Sequence, residues 1–312
     1  MLPTYSRQYL TRNRIHKALF TFAISTFVEI GLLAIISGFK FYITGSNYYF
    51  YYHYFSIFRH PSYLAMYVTF SFFLFLYYIF HNHDRASFLR TLSLFLALII
   101  LIGSLICLQS KAGLLTFFIL LFIWIIYLIF TKRIKIIGAV LLFCFIAGSG
   151  YVLFKTDLLP RNRVKSTIEQ VKNHKNNPNG KSSSEIRLTL WKTSWTIAKK
   201  NLPWGVGNGH ASDRILQHAV ENNYTNLIGH NYNAHNQYLQ TLLSTGIIGI
   251  IILLIFSFSP FYFGIKHKDI LYISFVIVLI LNIFVESMFE ARAGVNFIAI
   301  MNMLLLLRAV EN

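Results

Sequence analysis

Long apolar runs separated by short polar connections dominate the chain. A helix that crosses a bilayer needs about 20 consecutive apolar residues, and eight segments have this character. These segments are 18–39, 62–80, 88–108, 112–130, 134–154, 238–256, 270–285 and 295–307. The pattern predicts an all-α, polytopic transmembrane helical bundle of about eight spans, with one long external loop that contains amphipathic helices.

Composition supports a membrane location. The chain is 55% hydrophobic and only 12% charged, which is far more apolar than a soluble domain of this length. Its net charge of +17 comes from residues between apolar runs, which favours membrane lipids or phosphates as partners and excludes nucleic acid. Cys107 and Cys144 both lie in apolar segments, so we interpret them as core residues and expect neither a disulfide framework nor a four-ligand zinc site.

The basic residues also predict an orientation. Short connections rich in Lys and Arg stay in the cytoplasm, and the basic stretch before residue 18 places the N-terminus there, with the first span retained. Counting spans then predicts five N-terminal transmembrane helices at 1–154, a large external loop at 155–237 and three C-terminal transmembrane helices at 238–312. The other connections expected on the outer face are 40–61, 109–111 and 286–294.

The predicted external loop changes character along its length. Residues 161–184 are rich in Lys, Asn and Ser, which is typical of a mobile segment. Ser182 and Glu185 have the spacing of a capping box, and apolar residues then recur at helical intervals until Pro203. This pattern predicts an amphipathic helix that lies on the membrane surface.

Two histidines, His230 and His235, precede the span at 238–256. Their spacing is not that of a metalloprotease helix, and too few carboxylates or thiolates are near them for a metal site, so we expect no metal and no cofactor. An imidazole at the outer end of a span could act as a general base on a sugar hydroxyl. The alternative is that both histidines only anchor a helix end at the interface.

Three cations are predicted on the outer face. Arg187 lies in the first turn of the amphipathic helix, Lys111 lies between two spans, and Arg59 precedes the second span beside His60. Together they would suit a diphosphate, because guanidinium and ammonium groups bind phosphate oxygens. A solvated helix face for Arg187 and snorkelling for Lys111 are the alternatives. The nearby GVGNG, 205–209, follows a helix rather than a strand, and we interpret it as a tight turn.

Carboxylates are rare in the chain. Glu286 and Glu290 fall in the last outer connection, where they could pair with arginines, position an acceptor hydroxyl or simply be solvated at a helix end. Glu29 falls near the middle of the first span, where an ionised carboxylate is costly. We favour a protonated or hydrogen-bonded structural role for Glu29 over a proton relay.

Several short motifs follow one another along the chain. Arg187 and Trp191 come first, then Pro203 with GVGNG, then AHNQYLQ at 234–240 and TGIIG at 245–249. RHPSYLAMYV and QSKAGLL stand upstream, before the second and fourth spans. This order, from about residue 58 to 307, resembles the O-antigen ligase and O-antigen polymerase family of bacterial envelope glycosyltransferases.

The resemblance implies a metal-independent, inverting enzyme of the cytoplasmic (inner) membrane, with its active site on the periplasmic face. It implies an undecaprenyl-diphosphate-linked oligosaccharide or polysaccharide as donor and a lipid A core or other glycan as acceptor. By position His235 and Arg187 match catalytic residues of the family. The expected substrate-binding residues are Lys111, Asn236, Trp191, His230, Arg59 and Glu286. Lys111 stands where many members have arginine, so it lacks bidentate phosphate binding.

Three other functions remain open at the level of sequence. One is a capsular or O-antigen polysaccharide polymerase of the same family. Another is a transporter of lipid-linked glycans, which would require polar residues along several spans; only Glu29 fits that requirement. The last is a non-catalytic assembly factor that binds the lipid-linked glycan through its basic loop.

Overall fold

The computed structural model describes residues 11–81, 88–135 and 178–310 of the chain. Every regular element in these ranges is helical. The α-helices are α1 (Arg12–Thr44), α2 (Pro61–His81), α3 (Phe88–Leu108), α4 (Lys111–Phe130), α5 (Ser183–Lys200), α6 (Ala211–Glu221), α7 (Gln237–Lys266), α8 (Ile270–Val285) and α9 (Arg292–Val310). Short 3-10 turns at Asn47–Phe50, Tyr52–Tyr54, Asn208–His210 and Met288–Glu290 connect some of them.

Six of these helices, α1, α2, α3, α4, α7 and α9, are long and apolar enough to cross a membrane. They coincide with six of the eight predicted spans and confirm the all-α polytopic fold. The predicted span at 270–285 forms α8, an apolar helix of 16 residues that is shorter than the others. The predicted span at 134–154 lies outside the described residues from residue 136 onward, as does most of the predicted mobile segment, 161–177.

The chain divides into two compact units. The first unit comprises Met1–Arg133, Phe258–Asn282 and Arg292–Asn312, and the second comprises Ile134–Ser257 and Ile283–Ala291. The predicted regions 1–154, 155–237 and 238–312 divide the chain by expected membrane topology and not by compactness. They stay a prediction.

Aromatic side chains form much of the first unit's core. Phe73 stacks on Trp124 with ring centroids 5.6 Å apart, and the indole of Trp124 donates a 2.8 Å hydrogen bond to the hydroxyl of Ser274. Helix α2 is buried over most of its length, whereas α1 has a largely exposed surface. A tight aromatic core around a central helix therefore stabilises this unit, because buried aromatic rings remove large apolar areas from solvent.

Helices α5 and α6 pack on the first part of α7 in the second unit. Their buried apolar residues lie seven and eight residues after Leu190 in α5 and four residues apart in α6, which places them on one face of each helix. This core consists of Leu190, Ile197, Ala198, Ala211, Ile215, Ala219, Tyr224, Leu227 and Leu243. The unit thus buries a small core of its own.

Helix α5 begins as the sequence predicts. Ser182 is its N-cap, and its hydroxyl accepts a hydrogen bond from the backbone N–H of Glu185 while the Glu185 carboxylate accepts one from the N–H of Ser182. This reciprocal pair satisfies two N–H groups that the helix itself leaves unpaired, and it confirms the predicted capping box. The residues just before it are also held, because the Asn226 amide donates to the carbonyls of Pro178 and Gly180.

The middle of α7 is broken at Gly246. This residue has φ 66° and ψ −151°, which lie outside the helical range. The segment 203–207 fills the gap: Val206 and Gly207 donate backbone N–H groups to the carbonyls of Leu243 and Ser244, at 2.8 and 2.9 Å. In return Ile247 donates its N–H to the carbonyl of Pro203 at 2.8 Å. We call this paired arrangement of 203–207 with 243–247 the Gly246 junction.

The Gly246 junction corrects our interpretation of GVGNG. A tight turn alone does not explain this motif, because Gly205 and Gly207 lie against the backbone of 243–247. A Cβ atom on Gly205 would lie 2.7 Å from the N atom of Gly246, and a Cβ atom on Gly246 would lie 1.9 Å from the carbonyl oxygen of Pro203. Glycine is required at both positions by close approach as well as by positive φ.

Candidate active site

Three side chains from separate parts of the second unit come together: Arg187 and His235 both contact Glu286. Its carboxylate accepts a hydrogen bond from the guanidinium of Arg187, in the first turn of α5, through Oε1. The other oxygen, Oε2, lies 3.0 Å from Nδ1 of His235. Glu286 therefore bridges the two residues that the sequence predicts as catalytic.

The carboxylate of Glu286 is the most buried member of this cluster. Only 7% of its side chain is exposed, against 23% for Arg187 and 28% for His235. A buried carboxylate is costly unless it is paired, and the arginine supplies the compensating charge. The more exposed histidine and arginine can thus face a substrate while Glu286 holds them from behind.

The backbone of His235 has an unusual conformation, with φ 45°. This left-handed region is unfavourable for residues other than glycine, and neighbouring polar groups hold it in place. The side chain of Asn233 accepts the N–H of His235 at 2.9 Å, and the hydroxyl of Ser287 accepts the N–H of Asn236 at 3.3 Å. Fixing the backbone on both sides of the residue fixes the Cα–Cβ bond, and the contact of Nδ1 with Glu286 sets the imidazole.

The motif after His235 ties this segment to its neighbours. Asn236 caps α7, because its side-chain oxygen accepts the N–H of Leu239 at 3.1 Å. Gln237 accepts the N–H of Phe289 at 2.8 Å, and Gln240 accepts the N–H of Ala234 at 2.9 Å. The three polar residues of this short run therefore hold the loop before α7 and the connection that carries Glu286.

Trp191 supports the site from α5. Its indole N–H donates to the carbonyl of His235 at 3.2 Å, and its ring meets Phe284 edge-on with centroids 5.3 Å apart. One helical turn separates Trp191 from Arg187, so both side chains lie on the same face of α5. The arginine and tryptophan of the sequence motif thus reach the site from one helix, Trp191 at His235 and Arg187 at Glu286.

His230 lies at the edge of the cluster rather than within it. Its side chain is exposed, and its ring centroid is 5.1 Å from that of Tyr232, which is in turn 6.1 Å from that of His235. Tyr232 therefore stands between the two histidines.

The other two predicted cations, Lys111 and Arg59, belong to the first unit. Lys111 is exposed and is the first residue of α4. Arg59 pairs with Glu29 at 2.9 Å and lies over the ring of Tyr67, 5.0 Å from its centroid. The carboxylate of Glu29 thus has a cationic partner, and the structural role of Glu29 stays a prediction.

Five contributors to the site are absent from the sequence prediction: Asn233, Ser287, Gln237, Gln240 and Tyr232. Gln237 and Gln240 carry a recognisable signal, since two glutamines three residues apart at the start of an apolar helix are out of place on a lipid-facing surface. Ser287 carries none, because its role depends on a neighbour 51 residues earlier.

The arrangement can perform general base catalysis. If Nδ1 of His235 donates its proton to Glu286, Nε2 carries the free lone pair and can accept a proton from a hydroxyl group. Within the described residues Nε2 has no hydrogen-bond partner. Glu286 engages Nη2 of Arg187, and a guanidinium has five N–H groups, so Arg187 can also bind an anion.

A polytopic all-α membrane protein with a His–Glu–Arg cluster is the class that fold and site define. Residues 96–254 match the model of a family described as O-antigen ligase. Because the match covers half of the chain, the chain belongs to the O-antigen ligase family. No curated protein sequence matches the chain.

Family membership makes the protein a glycosyltransferase-like enzyme of a bacterial membrane that handles glycan and lipid-linked substrates. The matched region includes Arg187 and His235 and ends before Glu286. It is also shorter than the resemblance from about 58 to 307. The place of Glu286 in the site therefore rests on geometry.

Proposed function

We propose that the protein transfers a glycan from undecaprenyl diphosphate to a lipid A core or another glycan acceptor at the outer face of the cytoplasmic membrane. The contact of His235 with Glu286, itself paired with Arg187, carries this proposal. A base oriented by a carboxylate beside a cation is what an acceptor hydroxyl and a diphosphate leaving group require.

In the proposed reaction, Nε2 of His235 takes the proton of the acceptor hydroxyl as its oxygen attacks the anomeric carbon of the donor sugar. The bond between that carbon and the diphosphate oxygen breaks, and its electron pair leaves with the diphosphate. A single displacement of this kind inverts the anomeric configuration. The steps as proposed use only side chains of this chain, and we propose a metal-independent mechanism.

Arg187 has two roles in this mechanism. It compensates the buried charge of Glu286, and its remaining N–H groups neutralise the charge that develops on the leaving diphosphate. Binding of the diphosphate by Lys111 and of sugar by His230 stays a prediction. Arg59 is a weaker candidate because a diphosphate would compete with Glu29, and we assign Asn236 and Trp191 to holding His235 in place.

The proposal is tested with purified protein in proteoliposomes, supplied with an undecaprenyl-diphosphate glycan with and without lipid A core. Attachment to the core marks a ligase, lengthening on the carrier marks a polymerase, and translocation without either marks a transporter. A product with retained anomeric configuration, read by NMR, would contradict the single displacement.

Replacement of the base is the sharpest variant. His235→Ala should lower the transfer rate by about 10²- to 10⁴-fold, the usual contribution of a general base. His210→Ala is the matched control, because His210 is an exposed histidine of the same unit outside the cluster. A fully active His235→Ala protein would sink the assignment, and so would equal losses in the two variants.

A further inference from the structure

The exposed surface of α7 changes character at Gly246. Before this residue no large apolar side chain of the helix is exposed, and the exposed side chain there is that of Thr245. After it, apolar side chains are exposed on successive turns: Ile247, Ile248, Ile251, Ile252 and Ile255 are 41–63% exposed. Isoleucine exposed in such a row is stable against lipid and unfavourable against water.

The length of the apolar part fits one bilayer. From Ile247 to Lys266 the helix has about 20 residues, or roughly 30 Å, which equals the thickness of the hydrocarbon layer. The membrane boundary on α7 therefore falls at the Gly246 junction. The segment 203–207, which is hydrogen-bonded there, must lie at the same depth.

Large apolar side chains stand exposed next to this boundary. Trp204 is 72% exposed and Leu202 is 41% exposed, while Trp195, on α5, is 52% exposed. Tryptophan is favoured at the membrane interface, where its ring is apolar and its N–H can meet polar groups. Lys199 and Lys200, at the end of α5, are also exposed and supply positive charge beside these rings.

We propose that the α5–junction turn, residues 199–204, inserts Leu202 and Trp204 into the headgroup layer of an anionic bilayer, with Lys199 and Lys200 on the lipid phosphates. Continuity with the lipid-facing surface of α7 and the match of charge identify lipid as the occupant. The inserted turn fixes the second unit to the membrane at the end of α5. The sequence pattern alone predicts instead that the whole of α5 lies on the membrane surface. This inference is independent of the chemistry proposed for His235.

An environment-sensitive fluorophore tests the insertion. The full chain with Cys107→Ala and Cys144→Ala carries a single nitrobenzoxadiazole label at Trp204→Cys, and vesicles contain phosphatidylglycerol with brominated acyl chains. We expect the label to lose emission to the bromine atoms and to resist aqueous iodide. Quenching by iodide with no loss to brominated lipid would overturn the proposal.

Gln217→Cys, labelled in the same way, is the matched control. Gln217 is exposed in a polar row on α6, where Arg214 donates to it and it donates to Glu221. We expect this label to lose emission to iodide and not to bromine. If the two positions respond alike, the turn has no special contact with lipid.

The role of charge is tested by lipid composition. In the labelled Trp204→Cys protein, bromine quenching should fall when phosphatidylglycerol is replaced by phosphatidylcholine. With Lys199→Gln and Lys200→Gln added, quenching should become independent of that replacement. Equal quenching in both lipids before the lysines are changed would overturn the contact with anionic headgroups.

Discussion

At the scale of residues, His235 is held more firmly than an ordinary helix-end histidine. Its positive φ, the Asn233 and Ser287 hydrogen bonds beside it and the indole of Trp191 all restrict its position. Such restriction favours catalysis, because a base that is already aimed needs no reorganisation when the substrate arrives. An interfacial anchor would need none of these contacts.

Glu286→Gln removes the negative charge beside His235 and keeps the shape of the side chain. A glutamine can donate its amide to Nδ1 and so favour the tautomer whose Nε2 is protonated, and it leaves Arg187 without a counter-charge. We expect the transfer rate to fall by about 10²- to 10⁴-fold with little change in the amount of folded protein. The measurement is the initial rate in proteoliposomes beside a thermal unfolding curve.

Glu290→Gln is the control for that prediction. Glu290 lies in the same connection, four residues further along, and is exposed. Its loss should leave the rate unchanged. A Glu286→Gln protein that transfers glycan at the parent rate would remove Glu286 from the proposed site.

The sequence predicts His235 and Arg187 because each stands in a short motif with a chemical meaning. The sequence also indicates Glu286 as a candidate, but it does not predict that Glu286 lies between His235 and Arg187. Glu286 is 51 residues from His235 and 99 from Arg187, and a contact over such distances depends on how α5, the start of α7 and the segment 283–291 pack within the second unit. No local pattern contains that information.

At the scale of elements, the Gly246 junction makes α5 and α7 depend on one another. Gly246→Ala would place a Cβ atom 1.9 Å from the Pro203 carbonyl oxygen in a residue with φ 66°. We expect a loss of at least about 1 kcal/mol of stability from the backbone alone, and more from the clash. A lower midpoint of thermal unfolding in detergent measures it.

Gly209→Ala is the comparison for Gly246→Ala. Gly209 belongs to the same GVGNG motif, and nothing lies within 4 Å of a Cβ atom built there. Its midpoint should stay near that of the parent protein. Equal midpoints for the parent and Gly246→Ala would contradict the close approach in the junction.

Helix α5 and the junction differ in how far sequence predicts them. The capping box of α5 is local, since Ser182 and Glu185 are three residues apart, and the prediction is confirmed. The break in α7 is not local. The break is caused by the segment 203–207, which is separated from α7 by a 3-10 turn and helix α6. Without knowledge of this partner, the sequence TGIIG predicts a continuous span.

At the scale of the whole molecule, a buried ion pair links α8 and α9 within the first unit. The guanidinium of Arg308 contacts the carboxylate of Asp269, and both side chains are almost fully buried. Asp269 also accepts the N–H groups of Leu271 and Tyr272, and Arg308 lies over the ring of Tyr77, 4.7 Å from its centroid. The pair thus joins several spans of one unit.

Asp269→Asn should destabilise the first unit strongly. It keeps an acceptor for the start of α8 but leaves Arg308 as an uncompensated buried charge, at a cost of about 3–5 kcal/mol. Thermal unfolding in nanodiscs measures the loss. The double variant with Arg308→Met should regain part of it, whereas an Asp269→Asn protein as stable as the parent would exclude a strong pair.

The all-α class and the positions of the long apolar helices are the part of the overall fold that sequence predicts best. Six described helices confirm predicted spans, because length and apolarity alone decide whether a helix can cross a bilayer. The grouping of α5, α6 and the start of α7 into one unit with its own core is not predictable in this way. It depends on which apolar faces meet, as Leu243 meets those of the two shorter helices.

The break in α7 also constrains how the chain is inserted. At the membrane boundary unpaired backbone groups in a helical hydrogen-bond ladder are costly, so we expect α7 to enter as a straight helix with Gly246 in helical form. It can take its final bent form only when 203–207, synthesised earlier, has reached the same side of the membrane and offers its N–H groups. We therefore expect that α7 takes its bent form during biogenesis only after the preceding loop has been delivered.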